Sequence, residues 1–316
     1  MSDNAVEPGA PSAKEADKKS DKVTKKEVEV PRNVVSAAKQ IDHTILRLNK
    51  LLANPGGLSA LLSTFNYTLY IAAYLQTTSP SLSNYARRLL ALVKSQPLGE
   101  KPPTKILVSD GVVPPIAALA GLISRARTTL RLLGLFPLYA WLRTLLAGRK
   151  SSADPVLHRI ALLQCLSYIT YQALENISVL ADNGIVSKKA IALINRGDST
   201  TARVYLWAYR AWLGGVSCDF LRLAREAQLE SRRRAAREHM REDGRAVAEY
   251  QDEEDARVDK KWWTDLMITS AWFPMALHFS SSTGGLPGWN LGWMGLCGLV
   301  AGSSRASTLW AATLHP

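Results

Sequence analysis

Cysteine is scarce in this chain. Cys165, Cys218 and Cys297 are the only three in 316 residues, far apart and each in apolar surroundings. That excludes a disulfide framework and any Cys-x-x-Cys redox or metal pair, and it suits a reducing compartment. The five histidines, His43, His158, His239, His278 and His315, lie at no ligand spacing from one another or from carboxylates. There is no glycine-rich phosphate loop and no Gly-x-Ser-x-Gly elbow. Asp110-Gly111 and Asp182-Asn183-Gly184 read as turns. No catalytic residue, metal ligand or cofactor is therefore expected, and the chain does not read as an enzyme.

Targeting signals of the familiar terminal kinds are missing as well. The first residues, MSDNAVEPGAPSAKEADKK, have no apolar centre for a secretory signal and too little Arg and Ser for a transit peptide. The last three, Leu314-His315-Pro316, are not a Ser-Lys-Leu type of address. Any organelle targeting is expected to be internal. Acidic residues are outnumbered, 27 Asp and Glu against 39 Lys and Arg, giving a formal charge of +12. That balance favours partners with negative surfaces, anionic lipid or nucleic acid.

Uninterrupted apolar runs long enough to span a bilayer, about 20 residues, are in short supply. What is present is a succession of helical patterns, so the fold class is all-α. Residues 1–30 carry almost no large apolar groups and are expected to form a disordered charged tail. The remainder, 31–315, reads as one helical domain. A first helix runs over about 33–53 and is stopped by Asn54-Pro55-Gly56-Gly57. The second, 58–76, lies in a stretch without charge from Lys50 to Arg87, with Leu58, Leu61, Leu62, Phe65, Leu69 and Ala72 on one face and Tyr67, Tyr70 and Tyr74 on the other. Both faces want cover, from protein or from lipid. A short helix over 82–94 and a Pro-rich connector follow.

The stretch around which the chain is organised is 116–133, IAALAGLISRARTTLRLL. At about 100° per residue, Ile116, Leu119, Leu122, Ile123, Ala126, Leu130 and Leu133 share a face, with Arg125 and Arg127 on its flanks. Ser124, Thr128 and Arg131 lie opposite, and the stretch holds no acid. Such a helix can lie in a membrane interface, its aliphatic side among acyl chains and its arginines on phosphates; it can equally be a core-facing helix of a soluble bundle. Pro137 is expected to end or kink it, with 139–147 continuing. Asp154-Pro155 opens a helix reaching about 181, a short helix covers 188–194, and 203–223 mixes aromatics with arginines. Residues 225–261 are almost wholly charged, a solvated helix or loop in which Arg232-Arg233-Arg234 form a candidate basic patch.

No formal charge falls between Asp265 and Arg305. The apolar segment 264–302 contains two runs, 266–279 and 291–302, each short for a span. The second has Gly295, Gly298 and Gly302 at close helical spacing, which suits helix–helix contact in a bilayer. Trp289, Trp293 and Trp310 are placed as interface anchors.

The order of these segments resembles the peroxin-11 family, and most closely its filamentous-fungal C-type branch. The resemblance is carried by Leu51-Leu52-Ala53-Asn54-Pro55-Gly56-Gly57-Leu58 with Leu61-Leu62-Ser63-Thr64 and Tyr67-Thr68-Leu69-Tyr70, by ARVYLWAYRAW over 202–212 and by WMGLCGLVAG over 293–302. It covers roughly 33–315. Members insert an amphipathic helix into one leaflet of the peroxisomal membrane, elongating it ahead of fission. Here the resemblance assigns that role to 116–133, with Arg125, Arg127 and Arg131 on headgroups of an anionic phospholipid membrane. It implies a C-terminal hydrophobic transmembrane segment, homo-oligomers, and work with other peroxins and the dynamin-type fission machinery, without a nucleic-acid partner. Two rival readings are a metabolite pore lined by uncharged helices such as 58–76, and a soluble basic helical scaffold.

Overall fold

The computed structural model describes residues 32–78, 115–148, 154–243 and 251–314. The expected tail 1–30, the helix over 82–94 and the Pro-rich connector lie outside the described residues. Two compact units divide between Leu46 and Arg47. The first contributes only the opening turns of α1 (Arg32–Leu52), where Ile41 and Ile45 are exposed. All other elements belong to the second.

Every described element is helical. Only Ala53 and Asn54 separate the end of α1 from the helix α2 (Pro55–Thr78). Asn54-Pro55-Gly56-Gly57 is less a stop than a corner. Pro55 occupies the first turn, where no backbone donor is needed, and the Asn54 side chain accepts the Gly56 N–H at 2.8 Å. Gly57 is obligatory there, since a Cβ would stand 2.0 Å from the Leu51 carbonyl oxygen.

The organising stretch forms α3 (Pro115–Arg131), a 3-10 turn (Leu132–Gly134) and α4 (Leu135–Leu146). The break thus falls a turn earlier than the expected Pro137. Proline has no N–H for the Leu133 carbonyl four residues back, so a continuous helix would leave that carbonyl without a partner. The chain tightens just before it, and Asn176 Nδ2 donates to the Leu132 carbonyl at 3.0 Å. Pro137 then sits in the first turn of α4.

Asp154 caps α5 (Pro155–Asp182), its carboxylate accepting from the N–H groups of Val156 and Leu157 at 2.9 Å each. The short α6 (Lys188–Ile194) is capped by Ser187. The charged segment proves helical wherever it is described. It completes the 41-residue α7 (Ala202–Glu242) and opens α8 (Gln251–Ser280). Arg222 meets Asp265, Arg234 meets Asp259 and Arg237 meets Asp255, an antiparallel hairpin laced by ion pairs. Last comes α9 (Leu291–Ala312).

Contacts join α2 to α9, α9 to α8, α8 to α7 and α7 to α5, and α3 touches both α5 and α2, closing the circuit. The interior mixes large apolar side chains, such as Ile191, Leu223 and Met275, with many small and polar groups. Ala60, Ala73, Ala120, Ala208, Ala276, Cys165 and Cys218 are buried together with Asn66, Gln164, Gln172, Glu175 and Ser178, whereas many large aliphatics face outward. Among the described residues no helix is long and apolar enough to cross a membrane. The transmembrane reading of 264–302 is therefore not carried forward: the segment is split between the end of α8 and the start of α9, and each half packs on neighbours.

Arg225 ties α7 to the α5 cap, its Nη2 donating to Asp154 at 2.8 Å. That hydrogen bond, with the Leu157 N–H next, holds the Asp154 carboxyl at about 2. A depressed folded-state pKa contributes stability that is full above the ordinary carboxylate range and is lost as pH falls through the folded value. Asp154→Asn is expected to lower the thermal midpoint at neutral pH, the difference from wild type closing as pH approaches about 2. Melting curves across that range check it.

Candidate functional site

The faces of α3 are divided as the sequence suggests, and of the two directions left open the leucine face takes the outward one. Leu119, Leu122, Leu130 and Leu133 are exposed, Leu122 at 57% and Leu133 at 64% of their free surface. Ala118 and Ala126 lie between them and are exposed too. Phe136 and Tyr139 of α4, at 73% and 61%, extend the apolar surface past the turn. Ile116 and Ile123 are half-buried, and Ala120 is fully buried on the side packed against α2.

Of the three arginines expected on headgroups, only Arg125 is exposed and free of a carboxylate among the described residues. Arg127 turns inward, its guanidinium 4.9 Å from the centre of the Tyr67 ring. With the Asn66 amide in the orientation that satisfies its neighbours, Arg127 Nη1 donates to Asn66 Oδ1 at 3.1 Å, and Asn66 Nδ2 donates to the Ala120 carbonyl at 2.7 Å. Arg131 also turns inward and forks onto Glu175 of α5, with Nε to Oε2 at 3.0 Å and Nη2 to Oε1 at 2.9 Å. The headgroup assignment is thus corrected for Arg127 and Arg131. The cause is local: a buried carboxylate and a buried amide on neighbouring helices require charged or polar partners.

Glu175 is only 3% exposed. Besides Arg131 it accepts from the Tyr171 hydroxyl at 3.0 Å and from Gln172 Nε2 at 3.5 Å. Burial raises the Tyr171 pKa well above its ordinary value, keeping the phenol a neutral donor. Gln172 also donates to Asn176 Oδ1 at 2.7 Å, and its side chain lies where a Cβ on Gly134 would stand, 2.7 Å away. Asn176 in turn holds the Leu132 carbonyl. One polar cluster therefore fixes both the end of α3 and the turn after it. Glu175, Gln172, Asn176 and Asn66 are absent from the residues the sequence singled out. The readable signal was Glu175, the lone acid inside the otherwise apolar body of α5.

The glycines of α9 make a helix–helix contact inside the chain. A Cβ on Gly295 would lie 2.7 Å from the Tyr67 carbonyl oxygen, and one on Gly298 would lie 2.3 Å from the Tyr67 ring. Gly292 faces Tyr74 in the same way, so the tyrosine face of α2 is covered by the glycine face of α9. Gly302 meets nothing within 4 Å and is outside this contact. Oligomerisation through Gly295 and Gly298 would require separating α9 from α2. Trp293 is exposed, whereas Trp289 stacks on His278 and Trp310 lies under Arg47, with the guanidinium carbon 4.0 Å from the ring centre. His278 Nδ1 accepts the Leu286 N–H at 3.0 Å, and burial lowers its pKa, so it is a neutral loop fastener. Arg233 and Arg234 are paired with Glu230, Asp255 and Asp259, which removes most of the candidate basic patch.

Two stability predictions follow from these contacts. Arg131→Met leaves Glu175 buried without its counter-charge and is expected to cost about 3 kcal/mol, the low end for a broken buried pair because Arg131 is partly hydrated. Arg131→Met with Glu175→Met is expected to recover most of that loss in urea denaturation. On α9, Gly298→Ala is expected to destabilise through its clash with Tyr67, whereas Gly302→Ala gains up to about 1 kcal/mol of helix propensity. Equal effects at the two glycines would refute the internal packing.

Comparison with known proteins identifies one family. The family model of peroxisomal biogenesis factor 11 matches residues 105–310, more than half of the chain. The match includes the leucine face, the polar cluster, ARVYLWAYRAW and the glycine stripe, while the Asn54-Pro55-Gly56-Gly57 corner lies before its start. It is to the family as a whole and singles out no branch. No curated protein and no solved structure matches the chain significantly. The chain belongs to the peroxisomal biogenesis factor 11 family, whose members are peroxisomal proteins, and membership supports a role in peroxisome proliferation.

Proposed function

We propose that this protein deforms the peroxisomal membrane by sinking the leucine face of α3, extended by Phe136 of α4, into one leaflet. The observation that carries the reading is the outward placement of the leucine face of α3: Arg127 and Arg131 are bound into the protein, which leaves the leucines facing out. An aliphatic surface held outward in this way is an unusual feature of a water-facing bundle and suits an acyl-chain boundary. Burying Leu119, Leu122, Leu130, Leu133 and Phe136 is worth about 1.5–3 kcal/mol for each fully covered side chain, before the costs of restriction. Area added to one leaflet alone favours curvature toward that side. Arg125, at the edge of the face, is the arginine that remains for a lipid phosphate.

The many small residues in the interior, among them Ala60, Ala73, Ala120, Ala208 and Ala276, are compatible with the same reading. Helices surrounded by lipid gain from close packing through Gly, Ala and Ser, because large aliphatics lose nothing by facing acyl chains. The mechanism proposed is a wedge lying in the interface. Recruitment of other peroxins and of dynamin-type fission proteins belongs to the same proposal.

The test uses the full chain on vesicles containing anionic lipid. Leu122→Glu and Leu130→Glu substitute exposed positions, so melting temperatures are expected to stay near wild type while vesicle tubulation is lost. Arg125→Glu is expected to weaken tubulation without abolishing it. Normal tubulation by the two leucine variants would reject the wedge. Conductance in planar bilayers without tubulation would favour the pore.

A further inference from the structure

A second basic feature stands on another face of α5 from the polar cluster, in a cavity of about 620 Å³ walled by α5, the end of α6 and α7. Three arginines line it: Arg196, Arg203 and Arg210. Trp207 and Ile194 complete its rim and are exposed at 55% and 52%. No carboxylate lines the cavity, and none of the three arginines forms an ion pair among the described residues. The nearest acid named by its electrostatics is Asp198, which accepts the Thr200 N–H at 2.8 Å and feels Arg203. Three guanidiniums against that one carboxylate leave a local surplus of two positive charges.

The geometry presents these cations ready for use. Arg203, Trp207 and Arg210 fall at i, i+4 and i+7 of α7, on one face. Arg210 lies over the Trp207 ring at 5.0 Å, and its Nε donates to the Ser280 carbonyl at 3.3 Å, so the fork is held with its Nη groups unclaimed. Arg196 has φ 56°, and it is the non-glycine residue with positive φ among those described. A left-handed arginine beside Gly197 is a strained choice where glycine would be at ease. The Gly197 N–H bonds back to the Ala192 carbonyl at 2.7 Å, so Arg196 closes the end of α6 and from there lines the same cavity. The larger cavity, about 720 Å³ between α7 and α8, offers a contrast. Its arginines are neutralised by Glu230, Asp255 and Asp259.

We propose that Arg196, Arg203 and Arg210 form a site for a phosphomonoester, presented as the headgroup of an anionic phospholipid. A terminal phosphate carries close to two negative charges near neutrality and takes paired N–H donors from guanidinium forks. A phosphodiester headgroup offers one charge and fewer free oxygens. Trp207, Ile194 and the neighbouring Leu193, 87% exposed, supply an apolar rim that a lipid would meet and a free metabolite would not. The lipid source rests on the membrane reading proposed above; the phosphate chemistry stands without it.

The experiment measures full-chain binding to phosphatidylcholine vesicles doped at matched charge with phosphatidic acid, a phosphomonoester, or phosphatidylglycerol, a phosphodiester. Glycerol 3-phosphate serves as a soluble probe. Wild type is expected to prefer phosphatidic acid, and Arg203→Gln to lose about tenfold in that binding. Arg196→Gly is the discriminating variant: it relieves the left-handed strain, so its melting temperature is expected to equal or exceed wild type while the preference falls. Arg203→Lys is expected to fall between the two. Glycerol 3-phosphate binding that depends on the arginines, without vesicle preference, would keep the phosphomonoester site and assign it to a soluble ligand. Equal binding to both lipids with no binding of the soluble probe, or a preference unchanged in Arg196→Gly and Arg203→Gln, would overturn the proposal. Leu122→Glu is expected to reduce binding to both vesicle types equally and leave glycerol 3-phosphate binding intact. Failure of the wedge therefore reads differently from failure of this site.

Discussion

The buried carboxylate of Glu175 is the constraint from which the arrangement of the chain's central helix follows. A carboxylate 3% exposed must be paired and hydrogen-bonded or else give up its charge. The partner here is Arg131, the last residue of α3, and the fork between them fixes the rotation of α3 about its own axis. Once that rotation is fixed, Leu122 and Leu130 have no inward direction left. Arg127, one turn before Arg131, is carried to the Tyr67 ring of α2 by the same rotation. A buried pair of this kind adds little net stability compared with apolar packing, but it specifies orientation. Orientation is what the proposed wedge needs.

The same cluster governs the turn after α3. Gln172 occupies the space a side chain at Gly134 would need, and Asn176 satisfies the Leu132 carbonyl where the helical ladder is interrupted before Pro137. The apolar surface can therefore bend between Leu133 and Phe136 without leaving a buried carbonyl unpaired. Polar residues on α5 thus do for α3 and α4 what caps do for a solitary helix.

How much of this was legible in the sequence depended on whether the signal was local. The cap at Asp154, the all-helical class and the bounds of α6 follow from neighbours in the chain, and they were readable, whereas Asn54-Pro55-Gly56-Gly57 read as a stop and is a corner. The leucine face of α3 was readable as a face because periodicity is local too. Its direction was not, since periodicity states which residues lie together and is silent on what lies opposite. That information was held 44 residues away, in Glu175. The glycine stripe shows the same limit. Gly295, Gly298 and Gly302 read as a surface for contact in a bilayer, but Tyr67, the residue that Gly295 and Gly298 receive, is more than two hundred positions earlier in the chain. In the charged hairpin, Arg233 and Arg234 looked like a patch because their acids, Asp255 and Asp259, arrive from the next helix.

Basic residues consequently divide into two populations that net charge alone hides. Arg127, Arg131, Arg222, Arg225, Arg234 and Arg237 are consumed in holding helices together, and each has a named partner. Arg125, Arg196 and Arg203 are exposed and without a carboxylate partner, and Arg210 is held by an indole and a carbonyl rather than an acid. Among the described residues, arginines without a carboxylate partner thus stand at the edge of the leucine face and around one aromatic-rimmed cavity. A diffuse field would attract any polyanion with equal indifference to its chemistry. Guanidinium forks of fixed geometry discriminate by the number and spacing of acceptor oxygens, so the distribution of arginines on this surface favours recognition of particular headgroups over bulk attraction.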